Sequence, residues 1–81
     1  MNKQAENLII SISKGDTKAL GTLYELIKTD VYAYSLSKLR NKADAEDVTE
    51  DTFVKIYKYS SYYNSCGKPL AWVFTIASNL I

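Results

Sequence analysis

The chain has 81 residues, 47% of them hydrophobic and 23% charged, and a net charge of +1. That is one domain of ordinary globular composition. Three glycines and one proline are too few for a turn-rich all-β protein, and a single cysteine excludes an internal disulfide. The absence of histidine removes His/Cys zinc sites and Cys-His nucleophilic catalysis.

The first predicted helix is "NKQAENLIISISK", with Leu8, Ile9 and Ile12 on one face. Gly15 ends it, and Asp16 is placed to cap a long second helix over about 17–40. The apolar set of that helix, Leu20, Leu23, Tyr24, Ile27, Val31 and Tyr34, recurs at spacings of three and four. Lys38, Arg40 and Lys42 crowd its end, where the helix dipole favours cations.

"RNKAD" is the next break. Asp44 is expected to cap the third helix, with Asp47 three residues on, and the helix to run to about Tyr59. "SSYYNSCG" reads as a loop, and Pro69 suits the first turn of a fourth helix. The expected fold is all-α: one compact bundle of about four helices over residues 1–81. Ile81 still fits the helical pattern and no stop signal follows it, so the chain reads as a fragment cut within or near its fourth helix. No secretory leader is visible, and no apolar run approaches the roughly 20 residues a spanning helix needs. With one cysteine, Cys66, a reducing cytoplasmic setting and no membrane association are expected.

The small net charge hides a pattern. Residues 44–51 carry five acids and no base, whereas residues 52–81 carry three lysines and no acid. On the third helix Ala45, Val48, Thr52, Ile56 and Tyr59 form the expected core arc. Opposite stands a second stripe of Glu46, Glu50, Phe53 and Tyr57, with Asp47, Asp51 and Lys58 beside it. Three readings fit this face: a solvated helix N-terminus favoured by the dipole, a docking ridge for a basic partner anchored by Phe53 and Tyr57, and a divalent-metal site. The last lacks a loop with ligand spacing.

On the fourth helix Leu70, Val73, Ile76, Ala77 and Leu80 form a broad core arc. Trp72 lies at its edge as a structural aromatic, and Asn79 sits two turns on with an amide able to read a base edge. Before this helix, Tyr59, Tyr62, Tyr63 and Asn64 lie between Lys58 and Lys68, without an acid. Aromatic faces beside lysines are the ingredients for holding an unstacked base and its phosphate. No glycine-rich phosphate loop is present, and Cys66 has no histidine to serve as its base. No catalytic residue, cofactor or metal site is therefore expected.

Four segments in order, "KGDTKALGTLYE", "DAEDVTEDTFVKIYKY", "SYY" and "PLAWVFTIASNL", resemble the second conserved region of bacterial RNA polymerase sigma factors of the extracytoplasmic-function (ECF) group. The resemblance runs from about Ile9 to Ile81. It implies a non-enzymatic transcription initiation factor domain. Its third helix would dock on the clamp helices of the polymerase's largest subunit through Glu46, Asp47, Glu50, Asp51, Phe53 and Tyr57. The loop and last helix would recognise the promoter −10 element on the non-template single strand and flip one base from the stack. By position the DNA-binding residues are Tyr59, Tyr63, Asn64, Lys68, Phe74, Ile76 and Asn79. An anti-sigma factor is a further implied partner.

Two positions depart from the family pattern: Glu50-Asp51 stands for its usual Gln-Glu, and Ser78 for an arginine. The alternative function is a sigma-like protein-interaction domain without DNA binding. The family's second DNA-reading region, a helix-turn-helix, lies outside these residues.

Overall fold

The computed structural model describes residues 2–65 and 67–81. Four α-helices account for most of them: α1 (Asn2–Ser13), α2 (Thr17–Leu39), α3 (Lys42–Tyr59) and α4 (Pro69–Leu80), with a single 3₁₀ turn at Ser60–Tyr62. Among the described residues there is no strand, and no helix is long and apolar enough to cross a membrane. The loop expected at 60–67 thus begins with a 3₁₀ turn that continues the end of α3. Cys66 lies outside the described residues.

The helix boundaries follow from local chemistry. Gly15 has φ +95°, a left-handed conformation that glycine adopts without a Cβ penalty. The Gly15 N–H donates to the Ile12 carbonyl and the Asp16 N–H to the Ser11 carbonyl, a Schellman end to α1. The Asp16 carboxylate then accepts from the Lys18 and Ala19 N–H groups and starts α2. Arg40, at φ 54°, turns the chain out of α2.

Asn41, rather than Asp44, caps α3. Its side-chain oxygen accepts the Asp44 N–H at 3.0 Å, which puts Asp44 at the third helical position. Asparagine caps as well as aspartate. The extended Asn41, directly after left-handed Arg40, starts the helix one turn earlier than the Asp44 signal suggests.

The long α2 is the spine. Its buried residues, Ala19, Leu23, Ile27, Val31 and Ser35, recur every four positions. At roughly 100° per residue each step turns the stripe by about 40°. The stripe therefore winds around the helix, and α2 packs against α1, α3 and α4 in turn. Ala5, Ile9 and Ile12 from α1, Phe53 and Ile56 from α3, and Val73 and Ala77 from α4 complete the core. Four hydroxyl residues are buried with their partners supplied. Ser35 donates to the Val31 carbonyl at 2.9 Å, Thr49 to Ala45 at 2.7 Å, Thr52 to Val48 at 2.7 Å and Ser60 to Tyr57 at 3.3 Å. Such back-bonding satisfies a buried hydroxyl within its own helix.

The core face of α3 differs from the expected arc. Ala45, Thr49, Thr52, Phe53 and Ile56 are buried, Val48 is half-buried and Tyr59 is exposed. The arc is rotated toward Thr49 and Phe53. Phe53, expected on the outer stripe, is only 5% exposed and meets the Tyr24 ring edge-on at a centroid distance of 4.9 Å. It stands one turn after Thr49, whose hydroxyl is satisfied internally, so the interior extends to that side. Conversely Val54 faces solvent at 61% exposure.

Candidate functional site

Two concave surfaces flank α3, and each uses residues that the sequence singled out. The first lies between α2 and α3 and has a volume of about 420 Å³. Tyr24, Lys28, Thr29 and Tyr32 of α2 face Glu46, Thr49 and Glu50 of α3 across it. Asp47 and Asp51 are exposed beside these residues, and Tyr57 is 50% exposed further along the helix. Among the described residues the one side-chain ion pair joins Lys28 to Glu25 at 3.1 Å, within α2. The carboxylates of residues 44–51 consequently carry no cationic partner. The arrangement is an anionic ridge with an exposed tyrosine at its end. Phe53 is not part of it, because Tyr24 covers its ring.

No group of three or more His, Cys, Asp or Glu side chains among the described residues is arranged to hold a metal ion. The carboxylates at 46, 50 and 47, 51 recur at helical spacing along α3, Glu46 and Glu50 lining the α2–α3 groove and Asp47 and Asp51 exposed beside it.

The second concavity, of about 290 Å³, lies between α3 and α4 and is lined by Lys55, Tyr59, Ile76, Asn79 and Leu80. The Lys55 ammonium stands 5.6 Å from the centroid of the Tyr59 ring, and the Tyr62 ring lies 6.1 Å away, tilted by 48°. A lysine and a second aromatic thus bracket Tyr59. Asn79 is exposed, and its amide has no hydrogen-bond partner among the described residues. Ile76 and Leu80, one turn apart, form the apolar floor.

The seven residues expected to meet DNA do not share one pocket. Tyr59, Ile76 and Asn79 come together in the α3–α4 concavity. Phe74 goes elsewhere, packing on Tyr34 of α2 at 5.1 Å. Two residues from Ile76 is roughly 200° around a helix, so the two side chains leave α4 on nearly opposite sides. Tyr63 is half-buried; its ring meets Trp72 at 5.2 Å and its hydroxyl bonds the Glu6 carboxylate of α1. The family resemblance groups it with the pocket, but α3 ends at Tyr59 and Tyr63 follows a 3₁₀ turn to its contacts with Trp72 and Glu6. Asn64 and Lys68 are exposed on the segment leading into α4. Trp72 is half-buried against the core, as expected of a structural aromatic.

Several lining residues escaped the sequence reading. Lys55 and Leu80 were detectable as the partners one turn from Tyr59 and Ile76. Tyr24, Lys28 and Tyr32 form an i, i+4, i+8 stripe on α2 that marks the opposite wall of the first groove.

Comparison with known proteins adds a second line of evidence. The family model described as Sigma-70 region 2 matches residues 23–81. The ECF RNA polymerase sigma factor BldN of Streptomyces coelicolor is 33% identical over 75 residues, covering 91% of this chain and 28% of that protein. The ECF RNA polymerase sigma factor SigW of Bacillus subtilis is 26% identical over 80 residues, covering 99% of this chain and 43% of that protein. SigM of the same organism, also an ECF RNA polymerase sigma factor, is 38% identical over 58 residues, covering 70% of this chain and 34% of that protein. The chain thus spans less than half the length of these relatives. No solved structure matches it.

Proposed function

Because the chain belongs to the Sigma-70 region 2 family, as a region 2 domain of the ECF sigma factor group, we propose that it serves transcription initiation by joining core RNA polymerase to promoter DNA and capturing one flipped base of the non-template −10 element. The ridge of Glu46, Asp47, Glu50, Asp51 and Tyr57 is the polymerase-docking face. The α3–α4 concavity is the base pocket, with Tyr59 for stacking, Asn79 for the base edge and Lys55 for the backbone charge. Phe74 and Tyr63 support the elements that carry this pocket from behind. An anti-sigma factor would compete for the same two surfaces. No bond is made or broken, so this is a binding function and not an enzymatic one, performed in the cytoplasm.

The observation that carries this reading is the α3–α4 concavity itself. At about 290 Å³ it is at the small end of ligand pockets, suited to one base and far too small for duplex. It combines an aromatic face, an ammonium group and an unengaged amide. Extruding a base costs a few kcal/mol of unstacking and unpairing. Stacking on an aromatic side chain returns about 1–3 kcal/mol per base. Polymerase contacts must supply the remainder. With net charge +1, the isolated domain gains little from counterion release and should bind duplex DNA hardly at all.

Asn79→Ala tests the assignment. Holoenzyme assembled with the chain is offered short single-stranded DNA of randomised sequence, and the retained strands are sequenced. Wild type enriches one position strongly. The variant flattens that position and loses about 1–3 kcal/mol of binding, the range of one good bidentate base contact, while polymerase association stays unchanged. Identical enrichment by both proteins would leave the chain a protein-interaction domain that does not read DNA.

A further inference from the structure

One contact joins the first helix to the segment just before the last. A single carboxylate oxygen of Glu6, on α1, accepts both the Tyr63 hydroxyl and the Gly67 N–H, the latter at 3.0 Å. The two donors lie 57 and 61 residues along the chain from Glu6. They bracket residues 63–67, the stretch that carries Asn64 and leads directly to Lys68. Glu6 is half-buried; its bond to Tyr63 is partly shielded from competing water, and its bond to Gly67 is exposed.

The start of α4 does not fix the path of Gly67 and Lys68 by itself. Lys68 at the start of α4 makes no side-chain cap, and Pro69 has no N–H to give. Gly67 sits at φ +78° and its side has open space, so packing does not impose that conformation. Tyr63 is held from the other side by Trp72. The Glu6 carboxylate also places negative charge two residues ahead of the α4 N-terminus, where the helix dipole favours it. Hydrogen bonds accepted by a carboxylate are roughly twice as strong as neutral ones. Glu6 belongs to α1, which lies outside the residues 23–81 that match the family model.

We infer that Glu6 is a positioning residue for strand capture: by binding Tyr63 and Gly67 together it sets where these two residues lie, and so where Asn64, Lys68 and the start of α4 stand when a strand enters the groove. This rests on the base-capture reading above. Glu6 touches no DNA; it acts through the segment it holds. α1 is thereby a strut for the DNA-reading surface as well as a wall of the core. The two roles separate by residue, since Ala5, Ile9 and Ile12 make the core contacts and Glu6 makes the strut.

The test compares Glu6→Ala, Glu6→Gln and Tyr63→Phe with Asn79→Ala in parallel. In the 81-residue chain, amide hydrogen exchange at Gly67 should quicken by at least about tenfold in Glu6→Ala, as loss of a bond to a charged acceptor implies. It should change little in Glu6→Gln, whose carbonyl oxygen can accept the same donors. In holoenzyme, binding of the randomised single strands should weaken about three- to tenfold in Glu6→Ala, the scale of leaving a few side chains to be ordered on binding. Tyr63→Phe should show a smaller loss and Glu6→Gln near recovery. Association with core polymerase should be the same for all.

Faster Gly67 exchange with unaltered strand binding, while Asn79→Ala does lose binding, would overturn the role of Glu6 and leave base capture standing. Unaltered binding in both Glu6→Ala and Asn79→Ala would overturn both. A uniform loss of strand and polymerase binding in Glu6→Ala, tracking a lower melting temperature and not restored by Glu6→Gln, would reduce Glu6 to a stability residue and overturn the inference.

Discussion

Phe53→Ala is expected to destabilise the fold by about 3–5 kcal/mol, the usual cost of removing a buried aromatic ring. A domain of this length has of order 4–12 kcal/mol in total, so the variant keeps only a fraction of its margin. Each kcal/mol shifts the melting temperature of a 60–100-residue domain by about 4–8 °C, so a drop of more than about 10 °C should be seen by circular dichroism. The cause is local. The Phe53 ring is 5% exposed and packs against Tyr24 of α2 in a T-shaped contact, with the ring planes at 71°. A double-mutant cycle with Tyr24 should return a coupling of about 0.5–1.5 kcal/mol beyond simple burial. Phe53→Leu should retain most of the stability and all of the polymerase association per folded molecule. Weakened association in a fully folded Phe53→Leu would return Phe53 to the interface from which its burial removes it.

The second large effect concerns binding and not stability. Asp51→Lys and Tyr57→Ala should each weaken association with core polymerase by about 1–4 kcal/mol, the range seen when an interface anchor is truncated. Both side chains are exposed, so helix content and melting temperature should stay within about 0.5 kcal/mol of wild type. Glu46, Asp47, Glu50 and Asp51 lack ion-pair partners among the described residues, so the ridge is an unneutralised anionic surface. Association should accordingly slow as salt rises, since exposed charges are screened beyond about 10 Å at 0.1 M. Wild-type association by both variants would show that the docking face lies elsewhere.

Much of this architecture is written in local sequence. Gly15-Asp16, Pro69 and the three-four spacing of α2 locate the helices with little ambiguity, because each signal acts within one turn of chain. Asn41 was legible in principle: it stands three residues before Asp44, a cap and an acid at the third helical position. The stronger-looking acid at 44 drew the boundary instead.

The rotation of α3 was harder to see. Thr49 reads as polar, yet its hydroxyl is satisfied by the Ala45 carbonyl, which lets the interior reach Phe53. Hydrophobic periodicity cannot register a threonine that hides its own polarity. The candidate pocket split for a related reason. Of the residues that the family resemblance groups together, Tyr59, Ile76 and Asn79 line one concavity, whereas Phe74 and Tyr63 obey contacts to Tyr34 and Glu6 made by distant parts of the chain. Nothing near Glu6 in the sequence announces that it will hold residues about sixty positions away.

The central claim is that the α3–α4 concavity receives an unpaired base. A photo-crosslinking amino acid at position 79, in holoenzyme bound to a promoter with an opened −10 region, tests it at the site itself. Irradiation should join the chain to the non-template strand within the −10 element, and the product should vanish when the DNA is held fully duplex. Crosslinks to polymerase subunits alone, or equal labelling of both strands of closed duplex, would contradict it.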